Sequence, residues 1–526
     1  KLISQLHAQD LAACSWLGST HPLNGNFSQI CSFHYYCPGP PSMVALDAAA
    51  HDARVNWVSG LKGTSQSEAL VLAMVYPASL WFYEHVRAVL LPGWMANESV
   101  ATAVEFAVTV LPLVAAYTVL SHVAAWMVVG FALLPMLALL SGAARLHRSA
   151  PAAAETPVDG GGRQRRQQPA FLSAWRSALL LTTCVCILGV DFNAFPRRFG
   201  KTETFGVSPM DGGVGGFVLS AGLVAPHARA ALSGGGVQAR GGGGWSATVR
   251  RAKRVLLLLV LGVARLLSTR AVNYQHHVSE YGAHWNFFFT LAAIQIMSLS
   301  IPVATCISNG RSWISIPLCV GACLAITYQT LLTHGGLSAA VLSETRGPSF
   351  VEQNREGLSS TAGLLALFWI GVGMGQRIYR RESSTAEAAR ELFVASLVSG
   401  AVAWAAGTYI ERPSRRLANL AYIAWVLEVA LLLMLALLGV EALRGANVAP
   451  PRLAAAASKW SLQLFLFANI LTGACNLSID TISVGDDAAF VVLSLYAAAL
   501  ALLLAHINRA WEKAGAVLLS ACGQGF

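Results

Sequence analysis

The sequence predicts an all-α, polytopic integral membrane protein with about thirteen transmembrane helices. Three observations predict it. Hydrophobic residues fill 55% of the 526 positions and charged residues only 12%, with a mean hydropathy of +0.55. A soluble chain of this length needs far more polar surface. Apolar runs of membrane length recur from residue 68 to residue 506. The strand alternation of a lipid-facing barrel is absent, and helices pair their own backbone groups inside lipid.

In chain order, the runs 68–86, 101–119 and 122–142 come first, the last two closely joined. Run 172–190 carries Cys184 and Cys186 as small buried hydrophobes and ends on Val190, directly before Asp191. Run 212–226 is the least typical, being short and Gly-rich. Run 254–270 follows a basic segment, and 286–305 follows a charged, aromatic one. Run 313–332 contains Cys319 and Cys323, and 358–376 follows Asn354-Arg-Glu-Gly357. Runs 391–409, 419–440 and 487–506 are predominantly apolar. Run 459–474 is closed by the polar residues Asn469, Thr472 and Asn476.

Charge placement predicts orientation. The net charge of +10 lies in short loops rather than on one soluble face, which argues against nucleic acid. Loops 144–176, 227–254 and 377–390 and the C-terminal tail are basic and fall on one side, expected to be cytosolic. The N-terminus and loops 191–211, 271–285, 333–357 and 475–486 then face a lumen. Arg412, Arg415 and Arg416 run against this pattern. Residues 1–53 are polar and mixed and read as a separate N-terminal extension, luminal or disordered; residues 54–526 form the membrane domain. Residue 1 is Lys rather than Met, so an upstream start is expected. Segments 150–170 and 233–245 read as flexible linkers. No cysteine spacing suits a metal. Cys14, Cys31 and Cys37 allow a disulfide, and Asn26, Asn97 and Asn476 head glycosylation sequons.

Four polar clusters share the predicted luminal side. The first runs from Asp191 to Asp211 and holds Arg197, Arg198, Lys201 and Glu203. The second is Glu280-Tyr-Gly-Ala-His284-Trp285-Asn286, the third Asn354-Arg355-Glu356-Gly357, and the fourth Asn469, Thr472 and Asn476. Each has a plainer reading. Tyr281 and Trp285 suit an interfacial aromatic belt, Arg197 and Arg198 suit snorkelling or lipid phosphate, and Asn354-Arg-Glu suits a helix cap with a local ion pair. Asp191 is harder to explain so simply, because an unpaired carboxylate at the hydrocarbon edge is costly. Paired with Lys201 or an Arg, it suits a general base for a hydroxyl, with the lysine stabilising an oxyanion or holding a phosphate. A histidine-dependent membrane O-acyltransferase using His284, and a lipid or metabolite transporter using Asp191, Lys201 and Glu280, are the competing readings.

Asp191-Phe-x-x-Phe-Pro-Arg-Arg-Phe-x-Lys-Thr-Glu-Thr-Phe-Gly206, followed by Met210-Asp-x-Gly-Val-Gly-x-Phe-Val218, resembles the signature of the inositol acyltransferases of GPI-anchor biosynthesis, the animal PIG-W and fungal Gwt proteins. Ser279 to Leu291, Asn354 to Gly357, and Val58-Ser-Gly-Leu-x-Gly-Thr64 with Glu68 resemble further family segments. The likeness begins near residue 54 and reaches the C-terminus. It implies about thirteen spans in the endoplasmic reticulum membrane, with the N-terminus luminal and the C-terminus cytosolic on the charge pattern above. It also implies transfer of a fatty acyl group, commonly palmitoyl, from acyl-CoA to the inositol 2-hydroxyl of glucosaminyl-phosphatidylinositol. Acyl-CoA is then a co-substrate; no bound cofactor, metal or obligate protein partner is expected. The catalytic Asp and Lys implied by the resemblance fall on Asp191 and Lys201. The expected substrate-binding set is Arg197, Arg198, Glu203, Asp211, Glu280, His284, Trp285, Asn286, Asn354, Arg355, Glu356, Asn469 and Asn476.

Overall fold

A computed structural model describes residues 56–57, 59–90, 93, 97–141, 168–229, 244–271, 278–300, 315–379, 384–444 and 450–523. The N-terminal extension, its three cysteines, Asn26 and the two linkers (apart from the ends 168–170 and 244–245) lie outside these residues. The described chain is helical, and its one β-bridge joins Thr64 to Val207.

The principal helices, in chain order, are α1 (Gln66–His85), α2 (Glu98–Ala116), α3 (Ser121–Leu140), α4 (Ala170–Gly189), α5 (Asp211–Leu223), α6 (Gly244–Ala271), α7 (Phe287–Met297), α8 (Ile316–Thr333), α9 (Arg355–Ile378), α10 (Thr385–Tyr409), α11 (Leu420–Arg444), α12 (Ser461–Ser478) and α13 (Asp486–Gly523). Each predicted apolar run overlaps one of them; run 286–305 is met by the 11-residue α7, and residues 142, 301–305 and 313–314 of the predicted runs lie outside the described residues. Nine of the described helices are long and apolar enough to cross a membrane: α2, α3, α4 and α8 to α13. The protein is therefore an all-α, multi-pass membrane protein.

The closely joined second and third runs are two helices, divided at residues 117–120. The Gly-rich run forms α5, only 13 residues long and so about 20 Å in length, less than the roughly 30 Å of a hydrocarbon core. Its glycines have a packing reason. A side chain on Gly222 would collide with the Phe368 backbone of α9, and Gly371 and Gly375 of α9 lie against Leu219 and Leu223 of α5. Small residues at such a seam let two helix backbones approach closely.

Burial separates centre from rim. Within the membrane stretch α9 is 78% buried in protein, and α4 and α11 67% each, whereas α3 is 11% and α12 22% buried. Leu133, Leu137 and Leu140 of α3 are exposed, as a lipid-facing surface requires. The core helices pack α4 against α5, α11 and α12, and α9 against α5 and α8.

Two of the three arginines that oppose the charge pattern are buried in ion pairs. Arg415 Nε lies 3.0 Å from Asp211 Oδ1, and Arg416 Nη2 lies 2.8 Å from Glu356 Oε1. Neutralised inside the protein, they present no free positive charge to a membrane surface, which removes them from the counting rule.

Candidate active site

The Asp191 segment begins where α4 stops. The last turn of a helix leaves carbonyls without partners, and here Arg197 supplies them. Its Nη2 donates to the carbonyls of Val190 (2.8 Å), Phe192 (3.2 Å) and Phe195 (3.1 Å). Its guanidinium also lies 4.3 Å from the centre of the Trp57 ring. Phe192, Phe195 and Phe199 are fully buried, and the last two pack on Tyr117 with centroids 6.5 and 6.0 Å away. The motif's phenylalanines plug the loop into the core, and Arg197 knits its backbone. Arg198 turns the other way, to Glu68 of α1 at 2.9 Å. The segment around Leu61 to Thr64 clamps the far end: Glu203 N donates to Leu61 O (3.0 Å) and Thr64 N to Val207 O (2.8 Å). Gly63 adopts φ +80°, and a Cβ there would strike Val207 O.

This loop forms one wall of a cavity of about 890 Å³, near the upper end of the range for ligand pockets, about 300–1,000 Å³. Asp191, Lys201 and Glu203 of the first cluster line it, with Glu280, Tyr281 and Asn286 of the second and Asn469, Thr472 and Asn476 of the fourth. The remaining wall is largely apolar and includes Leu179, Ile187, Phe217, Val429, Leu433 and Leu466. The chamber thus joins a charged end to a greasy one.

Asp191 is 5% exposed and its Oδ2 accepts a 2.7 Å hydrogen bond from Asn476 Nδ2. Of the two partners expected for Asp191, Lys201 or an arginine, Lys201 Nζ donates instead to Glu280 Oε1 at 2.7 Å, while Arg197 lies within the electrostatic reach of Asp191. Both partners of that pair are partly exposed to the cavity. Burial pushes the Glu280 carboxyl up, but Lys201 and Arg415 outweigh it and hold the group at about 2. Arg415 in turn is pushed down by burial and lifted above its ordinary range by Glu280 and Asp211. Asp211 does not line the cavity. It sits behind the wall, accepting from Arg415, Ser208 Oγ (2.8 Å) and Thr202 N (3.2 Å). Its role is to fix Arg415 and the residue after Lys201.

The third cluster also lies outside the lining, and it holds the second in place. Ala283 N donates to Gln353 O (2.9 Å) and His284 N to Asn354 Oδ1 (2.8 Å). Gly282 has φ +114° and its Cα lies against the Asn354 backbone, while Gly357 lets Trp285 rest on α9. Glu356, fully buried, gathers Arg346 and Arg416, with Arg355 beside it. Arg355 donates to the carbonyls of Ser343 and Thr345. His284 and Trp285 are likewise outside the lining: His284 Nδ1 meets Arg270 at 2.7 Å, and Trp285 Nε1 donates to Thr290 at 2.9 Å. Asn286 caps α7 with its Oδ1 and donates to Gly262 O of α6. The sequon at Asn476 is also explained otherwise, since the nitrogen a glycan would need is buried and bonded to Asp191.

Two lining cations carried no motif signal. Arg415 was noticeable only as an exception to the charge pattern, and Arg265 sits inside the leucine-rich run of α6. Among the described residues no group of three or more His, Cys, Asp and Glu is placed to hold a metal.

The family model named GWT1 matches residues 50–507, a stretch that contains every lining residue. An uncharacterized protein of Arabidopsis thaliana is 36% identical over 78% of this chain and 88% of its own length. GPI-anchored wall transfer protein 1 of Aspergillus oryzae is 34% identical over 88% of this chain and 99% of its own length. Phosphatidylinositol-glycan biosynthesis class W protein of Dictyostelium discoideum is 30% identical, covering 85% of this chain and 95% of its own. By the extent of the family match and by these relatives, the chain belongs to the GWT1 family.

Proposed function

We propose that the protein acts in GPI-anchor biosynthesis, in the endoplasmic reticulum membrane, as an acyl-CoA-dependent O-acyltransferase. Its reaction moves a fatty acyl group, such as palmitoyl, from acyl-CoA to the inositol 2-hydroxyl of glucosaminyl-phosphatidylinositol. The observation that carries the reading is the chamber itself, where Asp191 and Lys201 share one wall with an apolar space large enough for a lipid chain.

The chemistry follows from the groups present. The Asp191 carboxylate, oriented by Asn476, takes the proton from the inositol hydroxyl as its oxygen attacks the thioester carbonyl. The new O–C bond forms, negative charge gathers on the carbonyl oxygen, and the Lys201 ammonium stabilises it. The C–S bond then breaks, the acyl ester remains on inositol, and the CoA thiolate leaves with the proton that Asp191 held. Glu280 anchors Lys201 at the wall through the 2.7 Å contact. Direct transfer is favoured over an acyl-enzyme because, although Cys186 reaches the cavity lining and Cys184 is buried behind it, neither thiol is hydrogen bonded to a base among the described residues.

The experiment is to incubate membranes containing the full chain with radiolabelled palmitoyl-CoA and glucosaminyl-phosphatidylinositol. A labelled product esterified on inositol is expected, formed one for one with free CoA. Lipid movement across the membrane without CoA release would overturn the reading in favour of a transporter.

A further inference from the structure

The cavity is lined by three cations, and two are already held. Lys201 is hydrogen bonded to Glu280, and Arg415 to Asp211. The third is Arg265 of α6, whose guanidinium has no hydrogen-bond or ion-pair partner among the described residues. It acts on Glu280 and Tyr281 only through its field. Three carboxylates, Asp191, Glu203 and Glu280, also line the space. The arginines of the expected substrate-binding set, Arg197, Arg198 and Arg355, are spent on loop carbonyls and Glu68 and lie outside the lining.

The position of Arg265 on its helix is specific. Leu261, Ala264, Arg265, Ser268 and Thr269 form one face of α6, and all five line the cavity. Leu259, Val260, Val263 and Leu267 form the opposite face and are 38–62% exposed, as lipid contacts require. A third side, at Gly262, packs against Phe289 of α7. An arginine within an apolar run is costly unless it turns to a polar cavity and meets a partner there.

The chamber also opens sideways. Ile470 and Leu477 of α12 line it and yet are 67% and 51% exposed, and Arg265 is exposed on the α6 side. Apolar residues that face both the cavity and the outside mark a mouth toward the bilayer, not toward water. A lipid entering there keeps its tails in the membrane while its headgroup reaches Asp191.

We propose that Arg265 is a substrate-binding residue that takes a phosphate ester, namely the phosphodiester of an inositol phospholipid entering between α6 and α12. The inference rests on the reading of this cavity as the substrate chamber. A guanidinium is suited to the task, since it offers paired donors to two phosphate oxygens and stays charged near lipid. The phosphates of CoA carry the same chemistry and are the other source the test separates.

The test is direct binding, which does not depend on turnover. Purified full-length wild type, Arg265→Ala and Arg265→Lys in detergent are titrated with fluorescent phosphatidylinositol, with CoA, and with diacylglycerol, which has tails but no phosphate. Thermal unfolding of each variant verifies that it is folded. The expected result is that Arg265→Ala weakens phosphatidylinositol binding about tenfold or more, the scale of one charge-assisted bond, with diacylglycerol unchanged and part of the loss recovered by Arg265→Lys. A loss confined to CoA would keep the phosphate site and assign it to the acyl donor. A folded Arg265→Ala protein that binds both phosphate ligands as wild type does would overturn the proposal. Intact phosphate binding by a wild-type protein that transfers no acyl group would instead count against the proposed reaction and leave the site standing.

Discussion

At the scale of single residues, the site divides into groups that face substrate and groups that hold them. Asp191 faces the cavity, and Asn476 holds its carboxylate at 2.7 Å. Asp191→Asn keeps the shape and removes the base, so acyl transfer should fall about 10²–10⁴-fold, measured as initial rate at matched expression. Asn476→Ala leaves the base but frees its orientation. It should lower kcat about tenfold with KM little changed, because orientation matters most at the transition state. Glu280 gives a pH test with a definite sign. Its folded carboxyl is held at about 2, below the ordinary value of about 4.3. A depressed pKa stabilises the fold above the unfolded value and the benefit is lost as pH falls through about 4 toward 2. Wild type should therefore lose thermal stability below about pH 4 more steeply than Glu280→Gln, compared by unfolding midpoint across pH 3–8. Asp191 and Lys201 were legible because charges beside an apolar run demand a reason. That Lys201 bonds to Glu280, 79 residues away, was not legible, since sequence shows which charges exist and not which ones the fold pairs.

At the scale of elements, the polar motif strings act as fasteners between segments. Asn354 to Gly357 was equally readable as a binding motif or as a cap. The structure makes it the seat on which loop 278–286 rests, through Asn354 Oδ1 and the bare surface of Gly357. Gly282→Ala and Gly357→Ala should each lower the thermal midpoint and the transfer rate together. At Gly282 a Cβ meets both a strained φ of +114° and the Asn354 backbone; at Gly357 it meets the Trp285 ring. Glu356→Ala leaves Arg346 and Arg416 clustered without their carboxylate. Losing one side of a buried ion pair costs about 3–5 kcal/mol, so this variant should unfold at a markedly lower temperature in detergent. If its midpoint matched wild type, the network would not be the brace described here. The short, glycine-rich α5 shows why a length rule misjudges some elements. It is specified by contact with α9 rather than by its own span.

At the scale of the whole molecule, hydropathy sufficed to place the thirteen principal helices, because lipid admits few alternatives to a paired helical backbone, whereas short helices such as Leu337–Leu342 and Arg452–Lys459 carried no apolar-run signal. It did not show which helices are central. The burial of α4, α9 and α11 depends on partners distant in sequence, and no local pattern encodes it. Nor did it show that the first, second and fourth polar clusters meet around one chamber while the third braces the second from outside. The central claim is that this chamber, through Asp191 and Lys201, transfers an acyl group to an inositol lipid. The most direct measurement is transfer from labelled palmitoyl-CoA to glucosaminyl-phosphatidylinositol by wild type, Asp191→Ala and Lys201→Ala in membranes at matched expression. Product from wild type and its loss in both folded variants is the predicted result. Product that survives both substitutions would contradict the account.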